Sequence, residues 1–193
     1  MTGRILVGTA SWTDRSLLDA GWYPKGTSTA EERLAYYASR FPLVEVDSTY
    51  YFLPSRDTAH RWVERTPGGV TFDVKAFSLL TQHPTEPKAL PDEMRPPGKA
   101  RVYLRHLEPE AVDEIWRRFT GALEPLHRAG KLGAVLFQFP PWFSIKRQHK
   151  DYLVECAERA RPLRISVEFR HTSWLSEENR DETFELLATH RLA

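Results

Sequence analysis

The sequence has one cysteine, almost no net charge and no long hydrophobic run. A single cysteine excludes an internal disulfide and is typical of a reducing compartment. The 27 Lys and Arg nearly balance the 26 Asp and Glu, which excludes a global basic field for nucleic acid but leaves a local patch open. The first apolar run, Ile5 to Val7, is too short for a signal-peptide core or a membrane span. These absences predict a cytoplasmic protein with no membrane segment.

Hydrophobic residues make up 41% of the chain, which is enough to bury a core as one domain over residues 1–193. The sequence contains no Gly-rich phosphate loop, zinc knuckle, Ser–His–Asp order or nicotinamide fingerprint. The sequence therefore indicates no particular cofactor, and the functional hypotheses depend on individual side chains.

Five short runs rich in β-branched and aromatic residues alternate with segments that carry helix signals. The runs are Ile5–Thr9, Leu43–Asp47, Thr71–Phe77, Ala134–Phe139 and Arg164–Phe169. This alternation predicts a parallel sheet with right-handed helical crossovers. One proline-rich stretch, residues 79–102, breaks the alternation after the third run. A long loop at that end of a strand is either functional or a surface excursion, and both interpretations stay open.

Two of the helix signals have a clear physical basis. Thr29 is followed three residues later by Glu32, which is the pattern of a capping box. Residues 109–130 begin with proline and acidic residues and end with basic residues and glycine. In a further helical segment, residues 149–162, Cys156 falls on the apolar face. We therefore interpret this cysteine as packing and not as a nucleophile.

In each of the later four runs, the polar residues fall at alternate positions, which we call one parity. They are Glu45, Asp47, Asp73, Lys75, Gln138, Ser166, Glu168 and Arg170. Side chains alternate across a strand, so these residues share a face, and the opposite parity is apolar. A doubly wound sheet needs two apolar faces because helices cover both, whereas a (β/α) barrel has helices only outside. The parity predicts an α/β fold of the TIM-type (β/α) barrel class, with a polar site at the carboxyl ends of the strands.

Aromatic residues follow several of the predicted strand ends. Trp12, Trp142 and Trp174 come directly after the first, fourth and fifth runs, and Tyr51 follows the second. At a barrel mouth such rings stack on a sugar or a base, and between loops they pack on their neighbours. Both interpretations stay open for each tryptophan.

Five motifs carry a family resemblance: GTASW, VEVDSTYY, FDVKA followed by LLTQHP, GAVLFQFPPWF, and VEFRHTSW. In this order, over nearly the whole chain, they resemble the YecE-like family, catalogued as domain of unknown function 72. The resemblance implies a TIM-type barrel and no agreed activity. The family pattern usually has Asn where this chain has Asp47, so no role that needs a neutral amide is expected there.

A complete (β/α)₈ barrel takes ~250 residues and about eight strand–helix units. This sequence contains five runs and ends at HRLA, where a sixth strand is expected to start. The resemblance implies roughly three more units, so we expect a fragment, a truncated reading frame or a barrel completed by another chain. The first and fifth strands then lack a neighbour, and unpaired edges favour self-association.

The first functional hypothesis is an enzyme of hydrolase or lyase type that binds a small anionic, phosphorylated or sugar-like ligand at the mouth. Asp47 and Glu168 are the candidate general acid and base, while Lys75 and Arg170 bind an anion or stabilise developing charge. The candidate ligand-binding residues are Trp12, Tyr51, Lys75, Thr81, His83, Gln138, Arg170 and Trp174.

Three alternatives stay open. A buried ion network can fill a barrel without chemistry, and a binding protein can sequester a metabolite without turnover. A nucleic-acid protein would stack bases on its aromatic residues, which the near-neutral charge does not favour. A nuclease variant of this nucleic-acid hypothesis would hold a metal among His83, His171, Asp47 and Glu168, but no short ligand motif supports a metal. The remaining histidines, including His149, are interpreted as surface residues.

Overall fold

The structure is a computed structural model that describes residues 5–193. Over these residues the strands are β1 Gly8–Ala10, β2 Leu43–Val46, β3 Thr71–Lys75, β4 Leu132–Gln138 and β5 Ile165–Glu168. The helices are α1 Arg15–Asp19, α2 Ala30–Ala38, α3 Ser48–Tyr51, α4 Arg56–Glu64, α5 Pro109–Arg128, α6 Arg147–Arg159 and α7 Arg180–Thr189. Helical segments therefore connect each strand to the next.

All five strands are parallel, and they lie side by side in chain order from β1 to β5. A doubly wound sheet reverses its strand order at a switch point, and this sheet does not. Consecutive parallel strands with helical crossovers form the wall of a TIM-type barrel. The carboxyl ends of the strands therefore meet at one edge, which we call the mouth.

One face of the sheet is buried under the helices. Val44, Phe72, Val74 and Phe137 on this outer face are all 0% exposed. Phe137 stacks on Trp116 of α5 with ring centroids 5.9 Å apart. The opposite parity, which we call the inner face, is only half-buried in β2, β3 and β5. The predicted division into an apolar and a polar parity is confirmed.

The strand boundaries differ from the sequence expectation. β1 lies further along the chain than the predicted run, and Ile5 and Val7 are 89% and 62% exposed. β3 ends at Lys75 because the chain then turns into a short 3₁₀ segment. β4 begins two residues early, at Leu132. Three helices, α1, α3 and α4, were not predicted from the sequence, and the first two of them have only five and four residues.

The specific helix signals are confirmed. Thr29 caps α2 with a full capping box in which Glu32 bonds back to the Thr29 backbone. α5 begins at Pro109, whose missing N–H needs no partner in the first turn. Cys156 lies in the core at 1% exposure, where burial raises the pKa of its thiol, so it packs and does not react.

The long loop after β3 is folded, with four 3₁₀ turns between β3 and α5. Leu79, Leu80 and Leu90 are at most 2% exposed, and Thr85 pairs with Val102 in an isolated antiparallel bridge. Tyr152 of α6 donates a hydrogen bond to the Leu80 carbonyl at 2.8 Å. The loop residues near the mouth are therefore held in fixed positions.

The outer edge of β5 hydrogen-bonds to the last residue of the chain. The Ala193 N–H donates to the Ile165 carbonyl (3.0 Å), and the Val167 N–H donates to the Ala193 carbonyl (2.7 Å). One residue bridging two alternate residues of a strand is the parallel pattern. Over residues 5–193, no helix combines the length and apolar character that crossing a bilayer requires.

Candidate functional site

The ends of β2 and β3 bring a carboxylate and an ammonium together. Lys75 Nζ lies 3.6 Å from Asp47 Oδ1, and the two side chains are 20% and 37% exposed. The Thr49 hydroxyl lies 3.0 Å from the Val46 carbonyl and 2.6 Å from the Lys75 carbonyl. It therefore ties the two strand ends together and fixes the spacing of the pair.

The end of β5 carries a second charged group. Glu168 accepts hydrogen bonds from Gln138 Nε2 on β4 (2.7 Å) and from Arg170 Nε (3.0 Å). Burial by itself favours protonated Glu168, but these hydrogen bonds and the nearby cations Arg170 and Lys75 outweigh it. The pKa of Glu168 is therefore lowered, and it stays a carboxylate at neutral pH.

The pKa of Glu45 is shifted in the opposite direction to that of Glu168. Glu45 lies on the inner face of β2, as Asp47 does. Burial raises the pKa of Glu45, and the Asp47 carboxylate beside it adds to the effect, while the Lys75 ammonium opposes it. A carboxyl group shifted in this way holds its proton to higher pH than an ordinary glutamate. The mouth thus contains one carboxyl suited to donate a proton and one held ionised.

His83 enters the mouth from the loop after β3. The Thr81 hydroxyl donates to the Ser78 carbonyl (3.0 Å), so it can only accept from His83 Nδ1 at 2.9 Å. The proton is therefore on Nδ1, and Nε2 carries a free lone pair. Burial, with the charges of Arg170 and Lys75, lowers the pKa of His83. The ring is a neutral acceptor at pH 7 and is suited to act as a base.

Tyr50 links the two halves of this cluster. The Lys75 ammonium lies 5.2 Å from the Tyr50 ring centroid, and the His83 ring lies 5.4 Å from it. Burial raises the pKa of Tyr50, so its hydroxyl keeps its proton. Tyr51, the candidate from the sequence, is 62% exposed and packs edge-on against Tyr50 at 5.1 Å, at the rim of the site.

The structure does not bring Trp12 or Trp174 into the mouth. Trp12 is 9% exposed, donates to the Ala30 carbonyl (3.1 Å) and lies edge-on to Trp62. Trp174 is 0% exposed and stacks on Phe169 at 4.1 Å. Both rings are occupied by packing, so we leave them out of the site.

Thr81, in contrast, is close to the site but acts through another residue. Its side chain is buried at 1% exposure, and its hydroxyl bonds within its own loop. It sets the tautomer and the orientation of His83. We therefore assign Thr81 as a positioning residue.

The proposed metal ligands are not assembled. Within the described part of the chain, no three His, Cys, Asp or Glu side chains are close enough together to hold a metal ion. The Nδ1 of His171 is bonded to Ser173 at 2.8 Å. The surface interpretation of His149 is wrong, because it is only 4% exposed and stacks on Phe143 at 4.1 Å.

Two residues of the cluster were not among the sequence candidates. Glu45 shares parity with Asp47, and this signal was available because a strand repeats every two residues. Tyr50 lies on α3, a single turn that starts after Asp47 and brings position i+3 back over the strand end. Four residues are too few to show a helical period in the sequence, so the sequence pattern predicts neither this turn nor the position of Tyr50.

The mouth therefore combines a carboxyl group with a raised pKa, an imidazole with a lowered pKa and two cations. The first two can move a proton on and off a ligand, and Lys75 and Arg170 can hold an anion or stabilise negative charge that develops. These groups converge from β2, β3, β5 and the loop after β3.

Comparison with protein families gives one match over almost the whole chain. A family model described as "Protein of unknown function DUF72" matches residues 6–193. The UPF0759 protein YunF of Bacillus subtilis is 30% identical over 172 residues, which are 89% of this chain and 52% of YunF. The chain therefore spans about half the length of that relative.

Solved structures give the same fold. A DUF72 family protein of Thermotoga maritima matches with a TM-score of 0.68 and 30% identity, over 97% of this chain and 62% of that chain. One from Enterococcus faecalis matches with a TM-score of 0.74 and 23% identity, over 98% of this chain and 59% of that chain. The TIM-type fold predicted from residue parity agrees with both comparisons.

Proposed function

The chain belongs to the DUF72 family of proteins of unknown function, and we propose that it binds a small anionic or sugar-like ligand at the mouth and acts on it by acid–base chemistry. The reaction class is that of a hydrolase or a lyase. The proposal rests on the inner-face charges of β2, β3 and β5, which lie where TIM-type enzymes keep their sites.

One observation carries the binding proposal. Asp47 Oδ1 is buried but has no hydrogen-bond partner among residues 5–193, and the Lys75 ammonium stays 3.6 Å away. A buried acceptor without a partner costs about 1–3 kcal/mol. A ligand hydroxyl that donates to Asp47 removes this cost, and an anionic group beside it gains the charge of Lys75. A phosphorylated or hydroxylated small molecule meets both requirements.

The pKa directions suggest how the roles are divided. Glu45, with its raised pKa, is the general acid, and the Asp47 side chain lies beside it. His83, with a lowered pKa and a free Nε2, is the general base. Glu168 is held ionised by Gln138 and Arg170, so it orients a ligand through hydroxyl groups and does not supply a proton. This assignment moves the acid–base pair from Asp47 and Glu168 to Glu45 and His83.

We also propose that residues 1–193 form one cytoplasmic domain that self-associates through its sheet edges. β1 is paired only with β2 in the described region, and β5 has only one residue, Ala193, on its outer side. Unpaired parallel edges favour pairing with another chain. Light scattering at increasing protein concentration tests this: a rising molar mass supports it, and a constant monomer mass contradicts it.

Calorimetric titration with sugar phosphates tests the main proposal. Ribose 5-phosphate and glucose 6-phosphate are compared with the parent sugars, using the wild type, Lys75→Met and Arg170→Gln. We expect at least one sugar phosphate to bind, and each charge removal to weaken binding by roughly tenfold or more, the loss expected of a charge-assisted contact.

Arg15→Gln is the matched control because the Arg15 side chain is 91% exposed and lies on α1, outside the mouth cluster. It removes one positive charge elsewhere and should leave binding unchanged. Equal affinity of the wild type, Lys75→Met and Arg170→Gln would contradict the assignment. Salt-sensitive binding of single-stranded oligonucleotides without binding of sugar phosphates would favour the nucleic-acid alternative.

A further inference from the structure

A second cavity lies at the start of α6, on the other side of the loop that carries His83. Its volume is about 510 Å³, within the range typical of small-ligand sites. The inference depends on Gln82, Arg105, Trp142, Lys146, Gln148 and His149 of its lining. The cavity is also lined by the Glu155 carboxylate, which is paired with Arg159 at 2.7 Å. None of these residues belongs to the mouth cluster, so this cavity stands independently of the proposed function.

Two cations at this cavity have no carboxylate partner. Most arginines of the chain are paired, as Arg159 is with Asp113 and Glu155 at 2.7 Å each. Across residues 5–193, no carboxylate oxygen lies within 4.0 Å of Arg105 or Lys146. The Arg105 guanidinium lies over the Tyr103 ring at 4.3 Å, and this contact leaves its charge unneutralised.

The N-terminus of α6 adds to this positive field. No side chain caps the helix, and basic residues, Lys146 at the N-cap and Arg147 after it, occupy positions that usually favour acidic ones. In the first turn the His149 N–H donates to the Lys146 carbonyl (2.9 Å), which leaves the N–H groups of Arg147 and Gln148 without an intrahelical acceptor. An anion at this end of α6 would accept from them and neutralise the neighbouring side chains.

His149 supplies an acceptor inside the cavity. Its ring is 4% exposed, and Nδ1 lies 2.6 Å from the Ser144 carbonyl. A carbonyl only accepts, so Nδ1 carries the proton and Nε2 presents a lone pair. No residue of the described chain hydrogen-bonds to Nε2, although the ring lines the cavity. Nε2 is not fully buried, so it opens on the cavity and can accept a hydrogen bond from a donor group of a ligand.

Trp142 supplies a platform beside this acceptor. It is the exposed tryptophan of the structure, at 47%, and its ring centroid lies 5.9 Å from that of His149. An exposed indole next to unpaired cations is a suitable surface for stacking a planar ring.

We propose that this cavity binds a nucleotide-like phosphate ester. The phosphate lies against Arg105, Lys146 and the N-terminus of α6, and the planar ring stacks on Trp142. A hydroxyl or amino group of the ligand donates to His149 Nε2. Gln82 and Gln148 provide amide groups at the wall for the remaining polar atoms of the ligand.

Tryptophan fluorescence during titration with AMP tests this proposal on the 193-residue chain. We expect saturable quenching, weaker binding of adenosine and of inorganic phosphate alone, and a loss of affinity of roughly tenfold or more in Lys146→Gln and Arg105→Gln. Both residues are exposed, so these variants should fold. Arg15→Gln should bind AMP as the wild type does. The AMP affinity of His149→Gln is interpreted only if the circular dichroism spectrum of this variant matches that of the wild type.

Three results would overturn the proposal. The first is no saturable quenching by AMP up to about 10 mM, a concentration well above the dissociation constant of a weak complex. The second is equal AMP affinity of the wild type and the two charge variants. The third is loss of AMP binding in Lys75→Met together with its retention in Lys146→Gln. The last result would assign AMP to the mouth. Unchanged AMP binding in Lys75→Met supports the second cavity whether or not the mouth binds sugar phosphates.

Discussion

The two faces of the sheet are built from alternate residues of the same strands, yet they differ in almost every property. On the outer face, Phe72, Val74 and Phe137 are fully buried under the helices. On the inner face, Lys75 and Glu168 keep 20% and 42% of their side chains exposed. Apolar burial stabilises the fold, whereas partly exposed ion pairs contribute little. The comparison indicates that the outer face provides stability and the inner face is available for binding.

The largest expected difference between the two faces is in the stability effects of two neighbouring residues on β4. Phe137→Ala removes a fully buried ring that stacks on Trp116, and we expect it to lower the free energy of unfolding by about 3–5 kcal/mol. Gln138→Ala, one residue later on the inner face, should cost about 1.5 kcal/mol, the low end for a hydrogen bond to a charged group, because the Glu168 side chain is 42% exposed. Urea unfolding of both variants measures the two values. Equal losses would contradict the separation of the faces.

A second prediction concerns Asp73, an inner-face side chain that packs within the sheet. Asp73 Oδ1 accepts from the Ala134 N–H at 2.8 Å and occupies the space beside Gly133, where a Cβ would lie 2.3 Å from it. Gly133→Ala should therefore cost about 1–3 kcal/mol through overpacking. Gly121→Ala in α5, where nothing lies within 4 Å, should be neutral or stabilising by less than about 1 kcal/mol. Urea unfolding compares them, and equal losses would show that the contact with Asp73 is unimportant.

Much of this division was predictable from sequence because strand parity is a strict period of two. This period places Lys75, Asp47 and Glu168 on one face from the sequence alone. Tryptophans were not predictable in this way. Trp12 and Trp174 follow strand ends just as Trp142 does, but only Trp142 stays exposed. Whether a loop ring packs or faces solvent depends on neighbours that are distant in sequence.

The roles within the site were less predictable than its location. The tautomer of His83 depends on a hydrogen bond from Thr81 to Ser78, and the raised pKa of Glu45 depends on its depth beside Asp47. Both require the three-dimensional arrangement. The sequence therefore predicted the face and most of its members, while the assignment of the acid and the base required the structure.

The smallest expected effect is a difference in pH dependence between two glutamates. The pKa of Glu45 is raised on folding, so the folded state binds more protons and stability is lost as pH rises above the ordinary glutamate range. The pKa of Glu168 is lowered, so its stabilisation is present at neutral pH and is lost as pH falls through the acidic range.

Relative to the wild type, Glu45→Gln should therefore become more stable as the pH rises above 4.5, and Glu168→Gln less stable as the pH rises towards 4.5 from below. Each difference should be less than about 1 kcal/mol. Thermal unfolding below and above pH 4.5 measures both differences. Slopes of the same sign would show that the two carboxyl groups do not differ as described.

The most direct test of the central claim is the unfolding free energy of one quadruple variant, Asp47→Asn/Lys75→Gln/Glu168→Gln/Arg170→Gln. It removes both charge pairs of the mouth and leaves the net charge unchanged. If the inner face is a binding surface, we expect urea unfolding to give a value within about 1 kcal/mol of the wild type. A loss of about 3 kcal/mol or more would contradict the account, because it would show that the charges hold the fold together.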